Sequence, residues 1–261
     1  MTPKAFSLNA LGQESADKRI DILRLIGLTG SISEAARQAG ISHKAAWQAI
    51  HTLTNLAGVE LVDRAVGGAG GGGARLTVAA EQLLDAAVQM ERARQEVLAR
   101  FSAGAAQAVA GAGLRTSMRN NLRCVVQSLD GLESGDLLVR VVLQLPDGAQ
   151  MVSSITRESS ELLDLQPGRA VLALCKATAV KVSAVPSAGA PSAWQTVQKE
   201  GANWVTGKVD RVTRGVHSDE IVLTLAGGQQ LVGFAARPNR LRTGSLARAD
   251  MAENAVVLAR V

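Results

Sequence analysis

The sequence predicts an α+β multidomain protein, with helices in the first third and small β barrels in the remainder. Three observations lead there. Apolar residues recur at helical spacing up to about residue 101, the period changes to that of strands after residue 114, and the strand-rich part contains a degenerate copy of itself.

Residues 18 to 57 read as three helices. Ile22, Leu23, Leu25 and Ile26 give the first an apolar face, and Gly30 with Ser31 ends it. "SISEAARQAG" supplies a short second helix with a serine as N-cap and Gly40 as its stop. In "ISHKAAWQAIHTL", Ser42 is placed to cap a third helix, in which Ala46, Ile50 and Leu53 share one face while His43, Lys44, Gln48, His51 and Thr52 lie off it. Ala35, Ala36 and Ala39 supply the small residues needed where two helices cross. The spacing therefore suits a helix-turn-helix whose third helix presents base-reading donors, and a plain three-helix bundle is the bland alternative.

"ELVDRAVGGAGGGGARLTVAA" continues with a short strand around 60 to 65, a glycine-rich loop and a second strand near 74 to 77, the pattern of a wing. Arg64 and Arg75 flank the loop, where they could reach phosphate or a minor groove. A phosphate-binding P-loop is excluded because no Lys-Ser or Lys-Thr follows the glycines. With Ser42, His43, Lys44, Gln48 and His51 these two arginines form the candidate DNA-binding set.

From Val78 to Phe101 the sequence reads as one long helix. Leu76, Ala80, Leu83, Ala87, Met90, Arg94, Val97 and Phe101 follow alternating four- and three-residue steps, the seam of a two-stranded coiled coil. Dimerisation is the expected use, and packing on the protein's own domain the other. "SAGAAQAVAGAG", residues 102 to 113, reads as a linker or frayed helix end.

The strand-rich part begins with "LRCVVQSL", "DLLVRVVLQL", "AQMVSSIT" and "AVLALCKATAVKVS", then a linker "VPSAGAPSAW", then "NWVTGKVDRV", "DEIVLTL", "QQLVGFAA" and "NAVVLARV". Laying Asn120 on Asn203 aligns the two runs, and "DGAQMV" falls on "GGQQLV". Two five-stranded barrels of about 65 residues are the simplest account. Ser117 and Arg119 correspond to Glu200 and Ala202 in the second copy, and Lys176 has no lysine counterpart there. Donors for an anion are thus present in the first copy and absent from the second, which reads as structural. The expected domains are 1–113, 114–185 and 186–261.

Bulk properties set outer limits. The net charge of +5 is spread unevenly: residues 1 to 101 carry 11 Lys and Arg against 10 Asp and Glu, and the remainder 17 against 13. DNA binding must therefore rest on motif geometry rather than on charge. No run approaches the roughly 18 to 20 apolar residues that cross a bilayer, and no signal-peptide pattern opens the chain, so a cytoplasmic protein without membrane contact is expected. Tyrosine is absent and Phe and Trp number three each, which argues against base stacking on an aromatic platform. Cys124 and Cys175 do not suit a disulfide framework or a metal site. His43, His51 and His217 lack metal spacing, and no nucleophile, base and orienting group come together, so no enzyme is expected.

In order, "TSMRNN", "ITRESSELLDLQPG" and "LALCKATAV", with "SHKAAW" in the third helix, resemble the ModE family of molybdate-responsive transcriptional regulators over nearly the whole chain. The resemblance implies a winged helix-turn-helix with a long dimerisation helix, followed by a pair of OB-like molybdate-binding Mop (TOBE) domains. It matches Ser117, Arg119, Thr156, Ser159 and Lys176 to the oxyanion ligands, at a dimer interface with groups from both subunits. Asn120 and the Ala177 amide complete the candidate shell. Met118 stands where the family has alanine, and Cys124 where it often has glycine.

The chemistry stands beside the resemblance. A tetrahedral dianion offers only acceptors, so its site must consist of donors. Arg119 brings a planar fork and Lys176 a point charge, and together they neutralise two negative charges. The expectation is a homodimeric DNA-binding regulator with molybdate, and tungstate beside it, as effector. By resemblance it represses molybdate transport genes when the anion is bound. The alternatives are a molybdate storage protein and a LysR-like regulator of another small anion.

Overall fold

The computed structural model describes residues 18–64, 73–98, 116–132, 136–185 and 201–260. They form two compact units. One holds the helical part together with Glu158–Leu165, and the other holds the rest of the strand-rich part.

The helical unit opens with α1 (Arg19–Thr29), α2 (Ile32–Ala39) and α3 (His43–Ala57). Each boundary has a local cause. The Ser31 hydroxyl accepts the Glu34 N–H at 3.4 Å, and the Ser42 hydroxyl accepts that of Ala45 at 3.1 Å. Gly30, Gly40 and Gly58 end the three helices in the left-handed conformation that a side chain resists. Ala35, Ala36, Ala45, Ala46 and Ala49 are buried beside Ile50 and Leu53, so α2 and α3 approach closely over methyl groups.

A hairpin of β1 (Val62–Arg64) and β2 (Ala74–Leu76) follows, with Asp63 opposite Arg75. The Ala74 N–H donates to Gly30 O at 2.8 Å, which ties the hairpin to the end of α1. The glycine-rich loop between the strands and the Arg64 side chain lie outside the described residues.

Thr77 then starts α4 (Val78–Leu98): its hydroxyl donates to Glu60 O at 2.9 Å and accepts the Ala80 N–H at 3.2 Å. The coiled-coil seam expected on this helix is divided. Ala80, Leu83 and Ala87 are buried in the unit's own core with Leu76 against it, whereas Met90 is 51% exposed. Arg94 pairs with Glu91 one turn back. Heptad spacing marks an apolar stripe without saying what covers it, and here the first turns of the stripe cover their own domain. The Val97 side chain and Phe101 lie outside the described residues, as does the linker 102–113.

The strand unit runs β3 (Asn120–Asp130), β4 (Leu138–Gln144), β5 (Gln150–Thr156), β6 (Ala170–Cys175) and β7 (Lys181–Ala184). It continues with β8 (Ala202–Thr213), β9 (Ser218–Thr224), β10 (Gln230–Ala236), β11 (Leu246–Ala252) and β12 (Val257–Ala259). Between β5 and β6 stands α5 (Arg157–Leu162), a helix that the sequence reading does not anticipate. β11 is likewise unanticipated, because "LARADMA" carries too few β-branched residues to read as a strand.

Strand pairing crosses the expected boundary between residues 185 and 186. The closed barrel is β10-β7-β11-β8-β9, and the other sheet is β12-β6-β3-β4-β5. Each copy therefore gives its last strand to the other: β7 pairs with β10 and β11, and β12 pairs with β6. The cause is a 3-10 turn at the same place in each copy, Ala177–Ala179 and Glu253–Ala255, which redirects the chain. It also splits the segment "AVLALCKATAVKVS" into two strands. The repeat itself holds in detail, since β3 and β8 shift register at equivalent points, Val126/Ser128 and Val209/Arg211.

Two asparagines lock the exchange. Asn120 and Asn203 are fully buried. The Asn120 side chain accepts the Val232 N–H at 2.7 Å and donates to Val232 O at 2.8 Å. Asn203 does the same with Val152, with both bonds at 2.7 Å. Each amide thus pairs with both backbone groups of one residue in the opposite copy, as a neighbouring strand would. On the exposed side, Gln229 makes a similar pair with the Arg123 backbone at 2.6 and 3.2 Å.

Asn120→Ala or Asn203→Ala would leave a buried backbone N–H and C=O without partners, a loss of about 2–4 kcal/mol of unfolding free energy. Urea denaturation of the full chain checks this. Gln229→Ala, at an exposed pair, should cost under about 1 kcal/mol.

Candidate functional site

The third helix presents the surface expected of a recognition helix. His43, Lys44, Gln48 and His51 are exposed, and α3 buries Ala45, Ala46, Ala49, Ile50 and Leu53 on its other side. Ser42 is exposed, but its hydroxyl is engaged in capping α3 and its N–H donates to the Glu161 carboxylate at 2.8 Å. The Lys44 ammonium lies 2.8 Å from Glu158. Gln48 donates from its amide to the Thr52 hydroxyl at 3.4 Å. Arg75 is exposed on the hairpin.

One residue of this surface escapes the sequence reading. The Trp47 indole N–H donates to His43 Nε2 at 3.1 Å, the two rings meeting edge to face, and the His51 ring lies 5.7 Å from Trp47 centroid to centroid. His43, Trp47 and His51 are thus a ladder at i, i+4 and i+8. That spacing was the available signal, obscured because a tryptophan beside alanines reads as core.

Strand register decides which candidate oxyanion residues meet. Asn120, the first residue of β3, pairs with Cys175, the last of β6. Ser117 and Arg119, just before β3, therefore lie at the same end of this strand pair as Lys176 and Ala177, just after β6. Ser117, Arg119 and Lys176 are exposed, and Ala177 is buried as the first residue of the 3-10 turn. Thr156 is elsewhere. It pairs with Leu138 at the start of β4, beyond the Asp130–Arg140 pair at the far end of β3. An 11-residue strand separates the two ends, roughly 30 Å of extended chain. Ser159 is half-buried in α5, in the segment that belongs to the helical unit.

Asn120 requires a correction. Both polar atoms of its amide are engaged with Val232 in the interior, and its nitrogen also reaches Cys175 Sγ at 3.4 Å, so it cannot serve an anion. Asn120 follows Arg119 directly in the chain, but its side chain turns to the interior.

The charge of Arg119 has a partner. Its guanidinium, 48% exposed, forks onto the Glu220 carboxylate of β9, with Nη2 at 3.2 Å from Oε1, and Arg211 stands 3.8 Å from the same carboxylate. The hydrogen bonds from Arg119 outweigh partial burial and hold the Glu220 carboxyl below the usual range, so the pair is ionic at neutral pH. An incoming dianion would meet the guanidinium with one carboxylate already on it.

Burial pushes the Cys124 thiol up to about 12 and raises that of Cys175, so both pack as small apolar side chains. Among the described residues, no group of three or more His, Cys, Asp or Glu side chains is placed to hold a metal ion, and no helix is long and apolar enough to cross a membrane.

Comparison with known proteins agrees with this geometry. Residues 18–81 match the bacterial regulatory helix-turn-helix protein family of the LysR type, and residues 116–182 match the TOBE domain. The chain is 34% identical to the transcriptional regulator ModE of Yersinia pestis, over 93% of this chain and 92% of that one. It is 33% identical to the DNA-binding transcriptional dual regulator ModE of Escherichia coli K12, over 82% and 80%. It is also 34% identical to the molybdenum-pterin-binding protein MopB of Rhodobacter capsulatus, over 88% and 83%. With both parts matched and this identity held along most of each relative, the chain belongs to the ModE family of transcriptional regulators.

Proposed function

We propose that this protein is a molybdate-sensing, DNA-binding transcriptional regulator that acts as a homodimer and represses molybdate transport genes when the anion is bound. The observation that carries the sensing half is the register of β3 and β6, which brings Arg119 and Lys176 to one end of a strand pair. Two cations and a hydroxyl at that end, those of Arg119, Lys176 and Ser117, are the donor types a dianion requires. Tungstate, of the same shape and charge, is accepted on the same grounds.

Thr156 and Ser159 extend this shell. Register separates Thr156 from Arg119 by the length of β3, so a second chain supplies the complementary group, and ligand binding becomes a contact between subunits. Dimerisation is also served by the outer part of α4, where Met90 is exposed beyond the turns that cover the chain's own core. An anion shared between subunits favours one dimer geometry over others, and this changes the fit of two recognition helices to a two-fold site. His43, Lys44, Gln48, His51 and Arg75 provide the DNA contacts.

Binding exchanges one anion for another at Arg119. The resident Glu220 carboxylate carries one negative charge and molybdate two, and Lys176 adds a second cation for the ligand.

Isothermal titration calorimetry with molybdate, tungstate, sulfate and phosphate checks the sensor. Arg119→Ala and Lys176→Ala should each weaken molybdate binding by roughly tenfold or more, the loss of a charge-assisted contact. Equal affinity for sulfate, or unchanged affinity in both variants, would overturn the assignment. Glu220→Gln removes the competing charge and should tighten binding several-fold.

Operator binding with and without molybdate, followed by fluorescence anisotropy, checks the regulator. Molybdate should raise DNA affinity, and Arg75→Ala should lower it while reducing the salt dependence by about one counterion. DNA binding that ignores molybdate would point to storage instead.

A further inference from the structure

The second copy, which lacks the serine, arginine and lysine of the first, carries an anion niche at its 3-10 turn, built with a guanidinium lent by the first copy. Equivalent positions follow from features common to both copies: Asn120 with Asn203, the clamped residues Val152 with Val232, and the two register shifts. Two residues past each clamped valine, Ser154 pairs with Arg140 and Phe234 with Glu220, so Arg140 stands in one copy where Glu220 stands in the other. Ala177 and Glu253 each open the 3-10 turn of their copy, and Gly201 takes the place of Met118.

Around Glu253 these residues form a complete shell. Its carboxylate accepts from Arg140 Nε at 3.0 Å, from Arg140 Nη2 at 2.7 Å and from the Gly201 N–H at 3.2 Å, and the residue is only 5% exposed. A forked guanidinium and a backbone amide around a desolvated carboxylate are the donor set that holds a free oxyanion. The bonds from Arg140 outweigh burial and keep the Glu253 carboxyl below the usual range, so it is an anion at neutral pH. In the first copy the same turn position is Ala177, which carries no carboxylate. There the guanidinium comes instead from Arg119, at the position of Ala202, and its partner Glu220 sits in the place of Arg140.

We infer that Glu253 is a built-in ligand: the 3-10 turn of the second copy carries an oxyanion niche filled by the chain's own carboxylate, at the turn position where the first copy has Ala177 and no carboxylate. The two ends of the tandem differ in where the resident carboxylate is borne: on the turn itself at Glu253, and on strand β9 at Glu220 for Arg119, from which the proposed function has a solute anion displace it. The statement about the first copy rests on the function proposed above, whereas the filled second niche does not.

Chemical rescue separates the two. Glu253→Ala removes the carboxylate and leaves its donors in place, and Glu253→Gln keeps the space filled with a neutral group of equal size. Thermal unfolding of the full chain is followed in sodium formate and in sodium chloride of equal ionic strength. Glu253→Ala should gain several degrees in formate, the wild type and Glu253→Gln should not, and the double variant Arg140→Ala/Glu253→Ala should lose the gain. If Glu253→Ala is insoluble in chloride, the expected result is recovery on refolding in formate but not in chloride. Equal melting, or equal recovery, in the two salts would overturn the inference, as would a formate effect that survives loss of Arg140. Molybdate titration of the wild type runs in parallel. Formate rescue without molybdate binding would leave this inference standing and remove the proposed function, and molybdate binding without formate rescue would do the reverse.

Discussion

Two buried asparagine side chains hold the strand-rich unit in its exchanged form. Asn120 and Asn203 each present a carboxamide oxygen and nitrogen to the backbone of Val232 and Val152 respectively. A buried amide would cost free energy if it met only apolar neighbours, so each asparagine favours the one arrangement in which its opposite copy stands at the right height. The position of β3 relative to β10, and of β8 relative to β5, follows from these bonds. So does the meeting of Arg119 from one copy with Glu220 from the other.

Strand exchange makes the two copies parts of one object. Neither five-stranded sheet is complete within its own stretch of chain, since β7 and β12 each close the neighbour. Even the remaining gap in the first sheet is bridged across the copies, where the Ser153 hydroxyl donates to Val256 O at 2.6 Å. The second copy can therefore shed its own anion donors and still shape the first. It supplies the carboxylate that holds Arg119 and the strands on which the clamps close.

In the helical unit the governing constraint is close approach. Alanines on α2 and α3 let the two helices meet over a tight glycine turn, and this turns the polar residues of α3 outward. The same helix sets Trp47 between two histidines on that outward side, edge to face with His43 and tilted against His51, so its surface is stiffer than a set of independent polar side chains. The apolar stripe of α4 changes surroundings along its length: through Ala87 it packs in the domain core, and beyond it Met90 is exposed.

By itself the sequence determined the three helices with their glycine stops, the serine caps of the second and third, the hairpin, the long helix, the change to strands and the existence of two copies. These depend on neighbours within a few residues or on a period of 2 or 3.6, and such signals survive in one dimension. It also singled out Arg119 and Lys176, because the degenerate copy shows that the β unit folds without them. Only the tertiary structure decided where β7 and β12 go, since a strand of three or four residues pairs with whichever edge the preceding turn aims it at. Only the tertiary structure separated Asn120 from its neighbour Arg119, one turned into the interior as a clamp and the other outward toward a carboxylate. Alternation along a strand puts successive side chains on opposite faces, and which face is the interior depends on partners more than a hundred residues away.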